Sequence, residues 1–265
     1  MIYAEKIGIV GLGFVGNAIK TSYEDPGIEL ALVDPSKGFT DTYDDLKSCS
    51  GVFVCVPSPQ GYDGSCDTSI LESVLDNLKT VDYNGVIISK VTAPPHVYAR
   101  LQKTHKNLVH APEFLTAANA IQDYRNGRFC FIGGEVQAYR NEAERIIRLG
   151  QRGLNSVMHC SIQEASLAKY TINSFLATKV VFMNEMASLG ETSDCDWDKI
   201  KRMISQDNRI GITHLQVPGP DGSYGFGGAC FPKDTSALLK FADDLKQQMT
   251  VLEAAVKQNT LLRLK

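Results

Sequence analysis

Three groups of residues have types and spacings suited to chemistry. Gly11-Leu12-Gly13-Phe14-Val15-Gly16 follows a strand-like apolar run and opens a helix-like one, and Asp34 lies about 20 residues further on. This is the layout of a dinucleotide site. Gly11 permits the tight turn, Gly13 lets the backbone approach a pyrophosphate at the helix N-terminus, and Gly16 lets helix and strand pack closely. Asp34 would accept hydrogen bonds from the adenosine ribose hydroxyls and repel a 2′-phosphate, which favours NAD over NADP. The second group is Gly225-Phe226-Gly227-Gly228-Ala229-Cys230-Phe231-Pro232-Lys233-Asp234. Its glycines let a ligand approach the backbone near Cys230, and Lys233 and the start of the helix after Pro232 would both favour a thiolate there. The third is Lys169 and Asn173, four residues apart and so on one helix face. Taken singly, a cysteine is more often a small buried hydrophobe and a lysine a solvated charge.

The elements that must position these groups alternate in the first half of the chain. Residues 6–10 (KIGIV), 29–33 (ELALV), 51–56 (GVFVCV), 86–91 (VIISKV), 108–110 and 129–132 are predicted strands. Helix-like stretches at 14–23 and 69–78 lie between them, the second opened by Asp67-Thr68-Ser69. Continuous apolar strands alternating with helices imply a parallel sheet covered on both faces. After about residue 160 the pattern changes. Residues 161–190 carry no proline and no internal glycine, and Ile162, Ala165, Ala168, Ile172 and Leu176 recur at helical spacing. A helix that long is expected to cross between domains or to build an oligomer interface. A further helix is predicted at 197–204, a constrained loop at 218–232, and unbroken helix over 234–265.

Composition narrows the class. The 265 residues are 43% hydrophobic and 22% charged with a net charge of −3, enough apolar material for a core without staples. That balance gives no reason to expect nucleic acid or an anionic membrane as a partner. Every long apolar run is broken before the length of a membrane span, and the N-terminus lacks a signal-peptide layout. The seven cysteines are scattered, with no C-x-x-C pair, so they read as reduced thiols of a cytoplasmic protein and no metal is expected.

The Cys230 segment resembles the nucleophile segment of the UDP-glucose/GDP-mannose dehydrogenase family. Further segments resemble that family in order: Val56-Pro57-Ser58-Pro59, Lys90-Val91-Thr92-Ala93-Pro94-Pro95, Pro112-Glu113-Phe114-Leu115, Glu164 with Lys169, Asn173 and Phe175, and Arg209-Ile210-Gly211. The resemblance implies an α/β chain with a Rossmann-type parallel-sheet domain over 1–160. An all-helical central, dimerisation domain with the catalytic cysteine loop follows over 161–265. The implied reaction oxidises the C6 hydroxyl of a UDP- or GDP-hexose to a uronic acid, using two NAD. Cys230 would hold the aldehyde as a thiohemiacetal and then as a thioester. Lys169 and Asn173 would stabilise the developing oxyanion. Asp234 with Thr92 would position the water that takes the hydroxyl proton, and Glu113 would activate the hydrolytic water. The cofactor would be held by Gly11, Gly13, Phe14, Val15, Gly16 and Asp34, with Pro57, Ser58, Thr92 and Lys233, the last at the pyrophosphate. The sugar nucleotide would meet Glu113, Phe114, Leu115, Lys169 and Asn173, with Arg209, Phe226 and Gly227. Arg209 would reach a neighbouring subunit, in a homodimer built through residues 161–190.

The sequence departs from the family pattern at Ala117, where a second glutamate is usual, and at His96, often glycine. The first departure implies slow thioester hydrolysis. Members of the family are usually longer, with a C-terminal nucleotide-binding domain that this chain is expected to lack. A truncated piece, a natural short form and a separate polypeptide carrying that domain all stay open. Two alternatives also stand: a β-hydroxyacid dehydrogenase making one oxidation without a cysteine, and a non-catalytic NAD-binding remnant.

Overall fold

The computed structural model describes residues 5–24 and 27–264; residues 1–4, 25, 26 and 265 of the two expected domains lie outside the described residues. The chain divides into two units. The first comprises Met1–Pro59 and Asp67–Lys169, the second Gln60–Cys66 and Tyr170–Lys265. The boundary thus falls inside the long helix, nine residues beyond the 160/161 expectation, and a short excursion of the N-terminal half joins the second unit.

The first unit is built on β1 (Glu5–Val10), α1 (Phe14–Ser22), β2 (Ile28–Asp34), β3 (Phe39–Thr40), β4 (Gly51–Val54), α2 (Ser69–Thr80), β5 (Val86–Ser89), α3 (Pro95–Thr104), β6 (Leu108–His110), α4 (Ala120–Arg125), β7 (Phe129–Gly133), α5 (Gln137–Gly150) and β8 (Ser156–Cys160). The strands form one sheet in the order β3-β2-β1-β4-β5-β6-β7-β8. The β2–β3 and β6–β7 pairs are antiparallel and the rest parallel. Strand order reverses at β1, with β2 on one side and β4 on the other, so the crevice at its carboxyl end is a topological switch point.

Alternation along the central strands sends side chains to two cores. Val52, Val54 and Ile87 pack with Leu71, Leu75, Tyr98 and Leu101 on one face. Phe53, Val86 and Ile88 pack with Ile19, Tyr23, Tyr124, Ile146 and Ile147 on the other. The runs expected to extend to 56 and 91 leave the ladder at Val54 and Ser89, just before the Pro57 and Pro94-Pro95 breakers. The edge strand β8 escaped the sequence reading because it is half exposed and carries no continuous apolar run. Helix α3 is announced by Pro95 at its first position.

The long helix α6 runs Ile162–Thr192. In the second unit it is followed by α7 (Trp197–Ile204), α8 (Phe231–Asp244) and α9 (Thr250–Leu262). The unbroken helix expected over 234–265 is in fact two. Lys246 takes a left-handed φ of 58°, Gln247 N–H donates to the Ala242 carbonyl at 2.8 Å, and Lys246 N–H donates to that of Asp243 at 2.8 Å. This is a Schellman stop, invisible in sequence because lysine stands where glycine is usual.

Candidate active site

At the end of β1 the chain turns through Gly11 at φ 87°, where a β-carbon would lie 2.9 Å from the Cys55 carbonyl oxygen. Gly16 is tighter: a β-carbon there would sit 1.9 Å from the Gly11 carbonyl oxygen. Gly13 caps α1, uses no side chain to do so, and faces open space. The first N–H groups of α1 are therefore presented beside a backbone that a phosphate can approach. Phe14 is 42% exposed at the same helix start and Val15 half-buried.

Asp34 ends β2 and is tied to this loop. Its Oδ2 accepts from Leu12 N–H at 2.7 Å and its Oδ1 from Ser36 Oγ at 2.6 Å. Partial burial pushes its carboxyl up, but the bonds from Ser36, Leu12 and Lys37 outweigh that and hold it below the usual carboxylate range. A fixed anion one strand away from a bare helix N-terminus fits the ribose and pyrophosphate of NAD. Ser58, beyond Pro57, donates from Oγ to the Thr92 carbonyl at 2.8 Å, so these two expected residues are adjacent.

Also in the first unit, Glu113 and Lys169 form a buried pair. Lys169 is 4% exposed; its ammonium lies 3.2 Å from Glu113 Oε1 and also donates to the Glu113 carbonyl. Glu113 Oε2 accepts from Leu115 N–H at 2.7 Å, and the Phe114 ring lies 4.9 Å beneath the ammonium. The Pro112-Glu113-Phe114-Leu115 turn is thus folded around the lysine.

In the second unit, Cys230 is the cap residue of α8, with Pro232 in the first turn. The helix begins one residue before Pro232, so Cys230 lies at its positive end, where a thiolate is favoured. Asp234, one turn on, is 1% exposed. It accepts from Asn173 Nδ2 on Oδ2 and from Lys233 Nζ on Oδ1, each at 2.6 Å. Lys233, expected at the cofactor, is also the neighbour that pairs with Asp234. Arg209 is exposed and bonded to Asp207 at 2.6 Å, while Lys179 of α6 holds the carbonyls of Ile210 and Thr213 behind it.

Phe226, expected at the sugar nucleotide, lines a cavity of about 420 Å³ beside the cysteine loop together with Gly227. Its ring is 5% exposed and packed among Ala177, Val181, Ala255 and Leu262. Its N–H donates to Asn259 Oδ1 at 2.6 Å, and its carbonyl accepts from Asn259 Nδ2 at 3.0 Å. Both backbone polar groups of Phe226 are thus paired with Asn259. Sequence reading missed Asn259 and Asn184, whose Oδ1 accepts from Gly225 N–H at 3.1 Å. No local signal could have found them, because an asparagine inside a helix pattern looks like any surface residue. Among the described residues no group of histidine, cysteine and carboxylate side chains could hold a metal.

The models of two domains of one family match the chain. The NAD binding domain of the UDP-glucose/GDP-mannose dehydrogenase family matches residues 36–149, and its central domain residues 163–261. The chain is 33% identical over 234 residues to a UDP-glucose 6-dehydrogenase of Rickettsia bellii (strain RML369-C), covering 83% of this chain and 52% of that one. It is 31% identical over 264 residues to one of Pseudomonas aeruginosa, covering 89% and 55%. The chain thus spans about half the length of these curated relatives. Its fold matches a UDP-glucose dehydrogenase structure from Pyrobaculum islandicum with a TM-score of 0.81 at 22% identity, over 97% of this chain and 68% of that one. A Mycobacterium tuberculosis 3-hydroxyisobutyrate dehydrogenase shares the fold at a TM-score of 0.72 and 15% identity, over 96% and 91%. That fold is common to both groups, whereas the two domain matches point to one. The chain belongs to the UDP-glucose/GDP-mannose dehydrogenase family, whose NAD binding and central domains it carries.

Proposed function

We propose that this chain performs the redox chemistry of a nucleotide-sugar 6-dehydrogenase, converting the C6 hydroxyl of a UDP-glucose-like hexose to a carboxylate. The observation that carries this reading is the buried Asp234, held by Asn173 and Lys233 one turn beyond Cys230 at the start of α8. A β-hydroxyacid dehydrogenase or a non-catalytic remnant has no use for a cysteine at a helix N-terminus backed by such a cluster. NAD, when bound, accepts a hydride in each of two oxidations.

The chain's own residues do the rest. Asp234 receives the hydroxyl proton through a water. Cys230 Sγ adds to the aldehyde carbon, its proton passing to the new hydroxyl, and gives a thiohemiacetal; loss of a hydride from that carbon to NAD and of the hydroxyl proton to water gives the thioester. This covalent hold keeps the aldehyde from escaping between oxidations. Lys169 stabilises the developing oxyanion by charge and Asn173 by its amide, a donor of this kind contributing about 3–4 kcal/mol. Glu113 takes a proton from the water that cleaves the thioester, returning the Cys230 thiol and releasing the acid. With alanine at 117 a second carboxylate is missing beside Glu113, which makes this last step the slow one.

The test is the NADH yield from a limiting amount of UDP-glucose or GDP-mannose. Two NADH per sugar are expected, and none beyond the first oxidation in Cys230→Ala. One NADH per sugar in the unaltered protein would sink the Cys230 relay.

Helix α6 also supports a homodimer. Phe175, Phe182, Met186 and Leu189 are 65, 54, 36 and 57% exposed and recur at seven-, four- and three-residue intervals, one apolar stripe. Phe182→Asp should shift sedimentation toward the monomer. No helix among the described residues is long and apolar enough to cross a membrane, and none of the seven cysteines is in a disulfide.

A further inference from the structure

We propose that a cavity in the first unit binds a compact oxyanion, a carboxylate or phosphate group on a small polar molecule, with Lys90 as its buried cation. The cavity holds about 320 Å³ and opens between the turn after β6 and the segment joining α4 to β7. Lys90, just beyond β5, lines it and is 5% exposed. Among the described residues its ammonium has no ion pair and no side-chain hydrogen bond. The rings of Phe53 and Tyr124 lie 5.9 Å from it, and the neutral side chains of Cys55, Cys130 and His110 are close by. An ammonium withdrawn from water in this way is costly unless an acceptor meets it, and two aromatic faces at that range compensate only in part.

The carboxylates on the same wall do not meet it. Glu113 is occupied by Lys169 and by Leu115 N–H. Asp123 Oδ2 is occupied by the N–H and hydroxyl of Thr116, at 2.8 and 2.6 Å. A second cation, Arg128, also lines the cavity and has no carboxylate or side-chain partner among the described residues. Gln151, 8% exposed, lines the same space. The unmet demand of the site is therefore for acceptor oxygens, near two positive charges. Its volume exceeds that of a bare ion, and the amides of Gln151 and Asn126 suit hydroxyls on the remainder of the ligand. A sugar phosphate and a sugar acid both have this chemistry.

This site is not the dinucleotide loop, and the proposal does not rest on the dehydrogenase reading. It shares with that reading only the Glu113 turn, which forms one wall.

The test is calorimetry and thermal shift on the protein saturated with NAD, so that anions cannot report from the helix α1 N-terminus. The probes are inorganic phosphate, glucose 1-phosphate and glucuronate. Glucose and sodium chloride at matched ionic strength are the controls. At least one anion should bind saturably while both controls do not, and the stronger of the phosphate and carboxylate probes identifies the group. Lys90→Met should weaken that binding by about tenfold or more without lowering the melting temperature of the ligand-free protein. Arg128→Gln, at an exposed position, should weaken it several-fold and keeps the test valid if Lys90→Met fails to fold. No saturable binding by any probe, an equal response to glucose, or undiminished binding in the folded variants would each overturn the proposal.

Discussion

Asn259 grips Phe226 by both backbone polar groups, accepting from its N–H at 2.6 Å and donating to its carbonyl at 3.0 Å. A helix near the end of the chain thereby shapes the loop that leads to Cys230, four residues later. The neighbouring Gly225 is at φ 71°, and a β-carbon there would lie 2.3 Å from Asn259 Oδ1, so the grip requires glycine beside it.

Asn259→Ala should therefore leave two buried backbone groups unpaired, at about 1–3 kcal/mol each. Urea denaturation would show the loss of stability. The rate of Cys230 alkylation by iodoacetamide should change as well, because the loop loses its anchor. Asn259→Asp, which restores the acceptor alone, should fall between. A variant with unchanged stability and unchanged alkylation would show that the grip is dispensable.

Lys169→Met should cost about 3–5 kcal/mol, since it strands the Glu113 carboxylate in a buried site. The double variant with Glu113→Gln should recover much of that loss, because no uncompensated charge remains. Chemical denaturation of the three variants measures both terms, and equal stability of single and double variants would contradict the pairing.

His110 gives a pH dependence. It is fully buried, stacked on Tyr98 at 4.2 Å, with Nδ1 3.1 Å from the Ser89 carbonyl. Burial pulls its imidazole down to about 3, aided by Lys90 and Lys169 and opposed by the Ser89 bond. The unfolded chain titrates near about 6.5, so between those values it binds a proton that the folded state does not. The stability from this group is complete above the unfolded value. It is lost as pH falls through the window, at about 1.4 kcal/mol per pH unit. His110→Phe should flatten that slope in urea midpoints measured from pH 6 downward.

Asp34→Asn should weaken NAD binding by about tenfold and narrow its advantage over NADP, as the anion facing the 2′ position is removed. Fluorescence titration with both cofactors measures it. Asp34 is held below its ordinary range, so its contribution to the loop is present above the unfolded carboxylate value and is lost as pH falls through the folded one. An unchanged cofactor ratio in the variant would exclude Asp34 from the ribose site.

Local pattern was enough to place much of this protein. The glycine spacing at 11, 13 and 16 with Asp34, the apolar strands and the Cys230 segment were all legible, because steric demands of turns and the two-residue period of strands act between near neighbours. Lys169 and Glu113 were legible as a list of family positions, but their pairing was not, since 56 residues separate them and only the sheet order brings β6 to the first turns of α6. The stop at Lys246 needed backbone angles. The role of Asn259 needed the packing of α9 on the loop, and the isolation of Lys90 needed knowledge of every neighbour that fails to reach it. Sequence by itself determined which elements form and which chemistry they carry. Tertiary structure alone decided which polar groups satisfy one another and which are left wanting a partner, because hydrogen bonds and desolvation depend on distances of a few ångströms that chain spacing does not encode.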